Sequence, residues 1–214
     1  MSSLPQGLSV DSDGVIRCAW PGEHSDYRLY HDQEWGRPQT NDIHLYEKIC
    51  LEGFQSGLSW LTILRKREAF RHAFRGFDFV KVARFNRRSV ERLLGDAGIV
   101  RHRGKIEAAI HNARCAKDLV DDVGSLAAFV WQFEPRPETR PKRIDRAVLR
   151  KLTESEQSRA MSQALRDRGW RFVGPTTLYA FMQSVGIVND HLEGCQFREQ
   201  VEKERRTLER PMRR

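Results

Sequence analysis

The sequence predicts a mainly α-helical protein. Apolar residues recur at helical spacing between short turn signals, and strand signals are nearly absent along the 214 residues. Hydrophobic residues make up 39% of the chain and include 11 Phe and 5 Trp, which is enough to build a buried core. The length suits one large domain, or two small lobes that share this core.

Capping residues and glycines predict where the helices begin and end. The clearest amphipathic pattern predicts a helix over residues 105–120. A second predicted helix runs from about Ser155 to Arg168 and stops at Gly169. The other predicted helix starts are, in chain order, Asn41 or Asp42, Ser59, Asp78, Ser89, Ser125, and Thr176 or Thr177.

We expect a single domain of two helical lobes over residues 17–197, with the proline-rich stretch 135–143 as a loop or a connection between lobes. Residues 1–16 are expected to be a flexible N-terminus, and residues 198–214 a charged C-terminal tail. No segment reaches the roughly 18 apolar residues of a membrane helix, and none resembles a signal peptide. The expectation is a soluble, cytoplasmic protein with no membrane partner.

The net charge of +8 is confined to two segments. Residues 135–151 hold seven Lys and Arg residues against two acidic ones, a net charge of +5. Residues 198–214 hold seven against four, a net charge of +3, so the rest of the chain is neutral. Basic segments suit a polyanionic partner, but two solvated, flexible segments explain the excess charge equally well. DNA binding must therefore be argued from motifs in the neutral body.

Two pairs of metal-ligand residues lie near opposite ends of the domain. Cys18 and His31 form the first pair, and His191 and Cys195 form the second, with a four-residue step that suits one face of a helix. Together they could form a closed structural zinc site that clasps the chain ends, or they could be two unrelated pairs. The motifs of a zinc-dependent nucleobase deaminase, H-x-E and P-C-x-x-C, are absent.

The second candidate constellation is aromatic and acidic. Aromatic faces can stack on an extruded base and attract a cation, although core packing is the more common role of such residues. Glu52 lies among apolar helical neighbours, where it is either a buried functional carboxylate or a solvated one. The next turn could present Leu58 as an apolar wedge. The aromatic residues of the constellation are Trp20, Tyr30, Trp35 and Trp60.

Residues 93–105 have the pattern of two amphipathic helices that flank a basic hairpin bounded by glycines. Glycine allows a close backbone approach, and the amides at the start of the second helix favour a phosphate oxygen. This is the logic of a helix-hairpin-helix contact with DNA over about residues 89–120, although other basic helical turns share the pattern. The candidate DNA-contact residues of the hairpin are Gly98, Arg101, Arg103, Gly104 and Lys105.

Together these stretches resemble the 3-methyladenine DNA glycosylase I family. The resemblance runs from about Arg17 to about Cys195 and rests on several separate motifs in the same order. The matching segments are 18–20, 30–36, 51–60, 98–106, 171–177 and 186–191.

The resemblance implies a helix-hairpin-helix glycosylase that hydrolyses the N-glycosidic bond of 3-methyladenine in double-stranded DNA and releases the free base. It implies that Trp60 stacks on the base, that Tyr30 and the catalytic Glu52 contact its polar edge, and that Gly57 and Leu58 fill the gap in the duplex. Trp20 and Trp35 would complete the pocket. It also implies a structural zinc ion, whose ligands would be Cys18, His31, His191 and Cys195. We expect a monomer, although the sequence does not fix the oligomeric state.

Two alternatives remain open from the sequence. One is a non-catalytic DNA-damage-binding protein that keeps the hairpin and the zinc clasp but releases no base. The other is a bifunctional glycosylase/lyase, which needs a nucleophilic lysine beside the hairpin, and Lys105 is the candidate.

Overall fold

The computed structural model describes residues 4–212, which form a helical body with a two-stranded antiparallel sheet at its N-terminal end. The strands are β1, Leu8–Val10, and β2, Ile16–Cys18. The N-terminal helices are α1 Ser25–Gln33, α2 Asp42–Gln55, α3 Trp60–Ala73, α4 Phe79–Val82, α5 Arg87–Gly95 and α6 Arg103–Val123. The C-terminal helices are α7 Leu126–Trp131, α8 Arg146–Leu149, α9 Glu156–Asp167, α10 Pro175–Ser184 and α11 Phe197–Thr207. Short 3-10 turns cover Arg75–Phe77 and Pro137–Thr139.

Most of the helix starts follow the predicted caps. Two differ. Asn86 caps α5, and Ser89 stands three residues later and completes a capping box. Helix α10 begins at Pro175, whose fixed φ suits the first helical position, so Thr176 and Thr177 lie inside the helix. The confirmed caps are Asn41, Ser59, Asp78, Ser125 and Ser155.

Helix α2 is the centre of the fold. It packs against α3, α6, α7 and α10, and every residue from 45 to 54 is buried. The Tyr46 hydroxyl donates a 2.7 Å hydrogen bond to the Ala109 carbonyl of α6, which satisfies its buried polar group. Because α2 is enclosed on all sides, its charged residues Glu47, Lys48 and Glu52 lie in the interior.

The N-terminal segment is more ordered than the sequence predicted. Residues 1–16 were expected to be flexible, but β1 pairs with β2 in the register Leu8 to Cys18. Arg17 explains the difference, because its guanidinium bonds to Asp11 at 3.0 Å, Asp13 at 2.8 Å and Asp32 at 2.9 Å. These ion pairs hold the turn of the hairpin against α1. Residues 1–3 lie outside the described residues.

The C-terminal tail also differs from its prediction as a solvated segment. Within residues 198–212, Val201 of α11 is buried, at 1% exposure. Arg205 and Arg210 both bond to Glu134 at 2.8 Å, so two cations of the tail are joined to the body. Residues 213–214 of the predicted tail lie outside the described residues. Within the described range, no helix combines the length and apolar character needed to cross a membrane.

Two distant loops meet at Gly186, directly after α10. A Cβ atom at this position would lie 2.5 Å from both the Arg37 carbonyl carbon and the Pro38 nitrogen. The φ angle of Gly186 is +75°, in the left-handed region that disfavours other residues. The Gln39 amide also donates to the Val185 carbonyl at 3.1 Å. Glycine is therefore required here for two reasons, backbone conformation and close approach.

Replacing Gly186 with alanine should lower the free energy of unfolding strongly. The left-handed conformation costs about 1–2 kcal/mol for a residue with a Cβ, and steric overlap in a packed region adds about 1–3 kcal/mol. Gly76→Ala is the matched control, because Gly76 also has a positive φ, +67°, but a Cβ there would meet nothing within 4 Å. Urea unfolding measures both variants. Equal losses in the two would show that the close approach does not constrain the fold.

Candidate functional site

A buried cluster of four side chains joins the two ends of the domain. Cys18 ends β2, His31 lies in α1, and His191 and Cys195 lie in the segment before α11. Their ligand atoms all lie within 4.8 Å of one another, so this cysteine–histidine cluster could hold a metal ion. The predicted helical step from 191 to 195 is wrong. The segment is a turn, and Gly194 has a φ of +91°.

Neighbouring groups orient the ring nitrogens of the cluster. His31 Nδ1 lies 2.8 Å from a carboxylate oxygen of Asp32, and His191 Nε2 lies 3.1 Å from the Trp35 carbonyl. Each ring therefore donates outward and turns its other nitrogen toward Cys195, at 3.7 Å for His31 and 3.5 Å for His191. Such outward hydrogen bonds fix the tautomer of metal-binding histidines.

Next to the cluster lies a cavity of about 310 Å³, lined mainly by aromatic side chains. All five residues predicted to form a base pocket meet here, and its volume is within the usual range of ligand sites. The sequence did not identify Tyr27 or Gln183 as lining residues. The lining consists of Trp20, Tyr27, Tyr30, Trp35, Glu52, Gln55, Trp60, Leu149, Leu152, Ala180 and Gln183.

The cysteine–histidine cluster and the cavity share walls. The ring centroid of Trp20 lies 5.2 Å from that of His31, and the Trp35 and His31 rings are stacked at 6.2 Å. Trp35 also meets His191 edge to face at 4.7 Å. The cluster therefore fixes the position of two aromatic walls of the cavity.

Glu52 is the acidic group of the cavity and is only 5% exposed. Burial raises the pKa of Glu52 to about 7, because a charged carboxylate loses its hydration there. Lys48 and the hydroxyl of Ser184 act in the opposite direction and favour the ionised form. The prediction of a buried carboxylate is confirmed, and the solvated alternative is wrong.

Lys48 is a buried cation that the sequence analysis missed, although it precedes Glu52 by one helical turn on α2. Its ammonium lies 4.2 Å from the centroid of the Trp60 ring, and it donates to the Tyr30 hydroxyl at 3.0 Å. It also lies 3.7 Å from a carboxylate oxygen of Glu34. Burial lowers the pKa of Lys48, and Glu34 and Glu52 oppose that shift. Lys48 thus positions two aromatic walls and supplies charge near Glu52.

Trp60 combines the contact with Lys48 and an unsatisfied polar atom. Its indole Nε1 is buried and has no hydrogen-bond partner among the described residues. An unpaired buried donor costs about 1–3 kcal/mol, a cost that a suitable acceptor would remove. Since Lys48 lies over the Trp60 ring, a base stacked on this indole would take the face that the lysine leaves free.

The turn between α2 and α3 carries Leu58, the residue that the sequence predicted as an apolar wedge. Leu58 is 43% exposed, and Gly57 next to it has a φ of +82°. Gln55, at the end of α2, lines the cavity. The exposed leucine therefore lies between two residues that line the cavity, Gln55 and Trp60.

The predicted DNA-contact residues around α6 divide into free and engaged groups. Arg101 is exposed and free of side-chain partners within residues 4–212, but Arg103 pairs with Glu91 at 3.0 Å. Gly98 is half-buried, its amide donates to Asp96 at 2.8 Å, and its carbonyl accepts from Lys66 at 3.2 Å. The half-buried Gly104 lies on the first turn of α6.

The side chain of Lys105 is turned away from the surface. Its ammonium donates to the Phe54 carbonyl at 2.9 Å and to the Ser56 carbonyl, because the end of α2 leaves carbonyls without helical partners. Lys105 is thus 8% exposed and does not offer a free phosphate ligand. The same contacts make it unsuitable as the nucleophile of a lyase.

Residues 20–199 match the methyladenine glycosylase family. The chain belongs to that family. Its membership confirms the family predicted from the sequence and shows that the protein is a DNA-repair glycosylase, which favours an enzyme over the non-catalytic alternative.

Individual relatives of this methyladenine glycosylase are similar over most of their length. DNA-3-methyladenine glycosylase 1 of Escherichia coli (strain K12) is 47% identical over 180 residues, which cover 84% of this chain and 95% of the relative. DNA-3-methyladenine glycosylase of Haemophilus influenzae (strain ATCC 51907 / DSM 11121 / KW20 / Rd) is 44% identical over 182 residues, with coverages of 85% and 97%.

Solved structures agree with the fold. A crystal structure of 3-methyladenine DNA glycosylase I is 44% identical, with a TM-score of 0.78 and coverages of 84% of this chain and 98% of that one. A structure of the Staphylococcus aureus enzyme, described as a study of 3-methyladenine recognition, is 32% identical, with a TM-score of 0.78 and coverages of 85% and 96%. A variant of 3-methyladenine DNA glycosylase I in complex with 3-methyladenine is 31% identical, with the same TM-score and coverages of 85% and 97%.

Replacing Lys48 with methionine should shift the pH dependence of glycosylase activity. Without the ammonium, the pKa of Glu52 rises further above about 7, so the carboxyl is protonated at neutral pH and ionises only at higher pH. We expect a several-fold loss of single-turnover rate at neutral pH, with recovery at alkaline pH.

Lys117→Met is the matched control, because Lys117 is exposed and pairs only with Asp121. Its pH profile should equal that of the unmodified enzyme. A Lys48 variant that loses the same fraction of activity at every pH would show a merely structural role for the lysine.

Proposed function

We propose that this methyladenine glycosylase hydrolyses the N-glycosidic bond of 3-methyladenine in alkylated double-stranded DNA, after flipping the damaged nucleotide into the aromatic cavity. The observation that carries the proposal is a buried carboxylate, Glu52, in a cavity walled by Trp20, Tyr30, Trp35 and Trp60. Relatives named for this reaction, and a relative's structure with 3-methyladenine, support the choice of substrate.

The charge of the lesion explains the composition of the cavity. 3-Methyladenine in DNA is cationic, so aromatic faces attract it with about 0.5–2 kcal/mol for each contact and discriminate against neutral adenine. Ionised Glu52 adds an acceptor and a negative charge in a site with little water, where such interactions are strong. Extrusion costs a few kcal/mol, and less for a poorly stacked base.

The same charge defines what the enzyme must do chemically. A cationic base is already a good leaving group, so the glycosidic bond breaks without prior protonation by a general acid. The catalytic task is to hold the base and favour the cation that develops on the deoxyribose. Glu52, with its pKa raised to about 7, is ionised in a larger fraction of molecules as the pH rises. Binding of the cationic base favours the ionised carboxylate further.

Two turns of the protein would hold the DNA duplex. Leu58 would enter the base stack and occupy the space of the extruded nucleotide, next to Gly57. The turn between α5 and α6 would act as a helix-hairpin-helix element that binds the DNA backbone through Arg101 and the amides near Gly104, while Gly98 would allow the close approach of the backbone. The side chains of Arg103 and Lys105 are engaged within the protein, so their role there is to shape the turn.

We also propose that the cysteine–histidine cluster binds a structural zinc ion. Typical zinc bond lengths in tetrahedral geometry place sulfur and nitrogen ligands about 3.6 Å apart, close to the 3.7 Å and 3.5 Å that separate Cys195 Sγ from the two imidazoles. The donor set of two thiols and two imidazoles fits zinc. With four protein ligands the ion would stabilise the fold and leave no position for substrate. A cytoplasmic monomer stays a prediction from the sequence.

Replacing Glu52 with glutamine should lower single-turnover excision of 3-methyladenine by on the order of 100-fold, because the cavity loses its negative charge. Binding to a duplex with an abasic-site analogue should remain nearly intact, since that ligand lacks the base. Glu47→Gln is the matched control, because Glu47 is buried on the same helix but lies outside the cavity. Unchanged excision by the Glu52 variant would remove this residue from the mechanism.

The purified protein should contain close to one zinc ion per chain by elemental analysis, and Cys18→Ser should lose it. The loss should also lower the thermal midpoint of unfolding, because the cluster closes the chain ends. Cys115→Ser is the control, because this buried thiol lies outside the cluster and should leave the zinc content unchanged. A zinc-free native protein, or a Cys18 variant with full zinc content, would contradict the assignment.

A further inference from the structure

Only some of the cations in the basic segment 135–151 pair with other parts of the protein. Arg140 pairs with the buried carboxylate of Asp190 and donates to the Tyr179 hydroxyl at 2.9 Å. Arg143 pairs with Glu193 at 2.8 Å. These two arginines therefore act as anchors, and they hold the segment beside the chain that carries the ligands of the cysteine–histidine cluster.

The backbone of the segment is anchored at the same place. The Glu193 amide donates to the Ile144 carbonyl at 2.9 Å. Ile144 is 2% exposed and packs in a small apolar cluster with Cys18, Leu192 and Cys195. Helix α8 follows directly, so its position is set by contacts with the cysteine–histidine cluster.

Helix α8 and the residues after it have one apolar side and one basic side. Leu149 and Leu152 line the base cavity. In contrast, Arg146, Arg150 and Lys151 are exposed, and none of the three forms an ion pair or side-chain hydrogen bond within residues 4–212. Unpaired cations thus border a cavity whose walls the same short stretch helps to build.

The C-terminal basic segment is arranged differently. Arg205 and Arg210 are paired with Glu134, and Arg198 donates to backbone carbonyls of residues 189 and 191. The exposed cations Lys203 and Arg206 of this segment do not belong to residues that line the base cavity. Of the two segments that hold the net charge, the stretch 146–152 is the one that presents free cations beside the base cavity.

We propose that Arg146, Arg150 and Lys151 form a second DNA-contact surface at the rim of the base cavity, where they bind phosphates next to the flipped nucleotide. This inference rests on the proposed function, because it requires a nucleotide that is extruded from duplex DNA into the cavity.

The location of the surface follows from the connectivity of a nucleotide. A base inside the cavity is joined through one sugar to its flanking phosphates, so these phosphates must lie at the opening. Gln55, which leads to the wedge turn, and Leu149 both line the cavity. Residues 55–58 and α8 therefore lie beside the same cavity, and α8 with the two residues after it supplies the positive charge there.

The test is the salt dependence of binding by a triple variant, Arg146→Gln, Arg150→Gln and Lys151→Gln. The ligand is a duplex that carries an abasic-site analogue. The slope of log K against log salt should become shallower by about 0.9 for each phosphate contact that is lost. Binding of free 3-methyladenine should stay unchanged, because the cavity walls are intact. Single-turnover excision should fall at low enzyme concentration and recover at saturating enzyme.

The matched control removes the same number of exposed, unpaired cations elsewhere, at Arg84, Lys203 and Arg206, and should leave the salt slope unchanged. A triple variant at the cavity rim with the native slope, or an equal decrease in the control, would overturn the proposal. If circular dichroism shows altered folding of the triple variant, Arg146→Gln and Arg150→Gln are measured singly, and a native slope in both overturns it as well. Failure of the unmodified protein to release 3-methyladenine would instead contradict the proposed function.

Discussion

The closure of the chain by the cysteine–histidine cluster is the constraint on which the rest of the site depends. The Cys18 and His31 side chains meet His191 and Cys195 from the other end of the domain, within 4.8 Å. Joining such distant residues opposes the entropy of a long loop. A small apolar cluster and the hydrogen bond from the Gln196 amide to the Ile16 carbonyl, at 3.0 Å, also hold the two ends together. The indole of Trp35 contacts both imidazoles, so the junction of the chain ends helps to position this aromatic wall.

Helix α2 carries the main energetic cost of the site. Burying an ionisable carboxyl and an ammonium in one apolar helix is unfavourable unless each finds a partner. Lys48 has Glu34, the Tyr30 hydroxyl and the Trp60 ring, whereas Glu52 has the hydroxyl of Ser184 and the more distant charge of Lys48. Glu52 is thus the less satisfied of the two, as expected for a group that awaits a cationic partner.

Side-chain chemistry was easier to predict from the sequence than side-chain direction. The residue pattern alone left the roles of the cysteines, histidines and aromatic residues open, and it was the family resemblance that singled out four ligands and a base pocket. The turn at His191 and Cys195 was mistaken for a helix, because a four-residue step suits both. Lys48 was missed because its role depends on the burial of α2 on all sides. Lys105 was assigned to DNA because its carbonyl partners lie on a helix about fifty residues earlier in the chain.

The hydrogen bonds from Lys105 to the Phe54 and Ser56 carbonyls tie the start of α6 to the turn between α2 and α3. Lys105 therefore links α6 to Ser56, two residues before the exposed Leu58. If the protein moved along a duplex with the turn before α6 bound to the DNA backbone, as proposed above, Leu58 would stay at a constant distance from the stacked bases. In such a search the DNA would deform and the protein would not. Weakly stacked nucleotides would therefore leave the base stack more readily than well-stacked ones, without any loop closing over them.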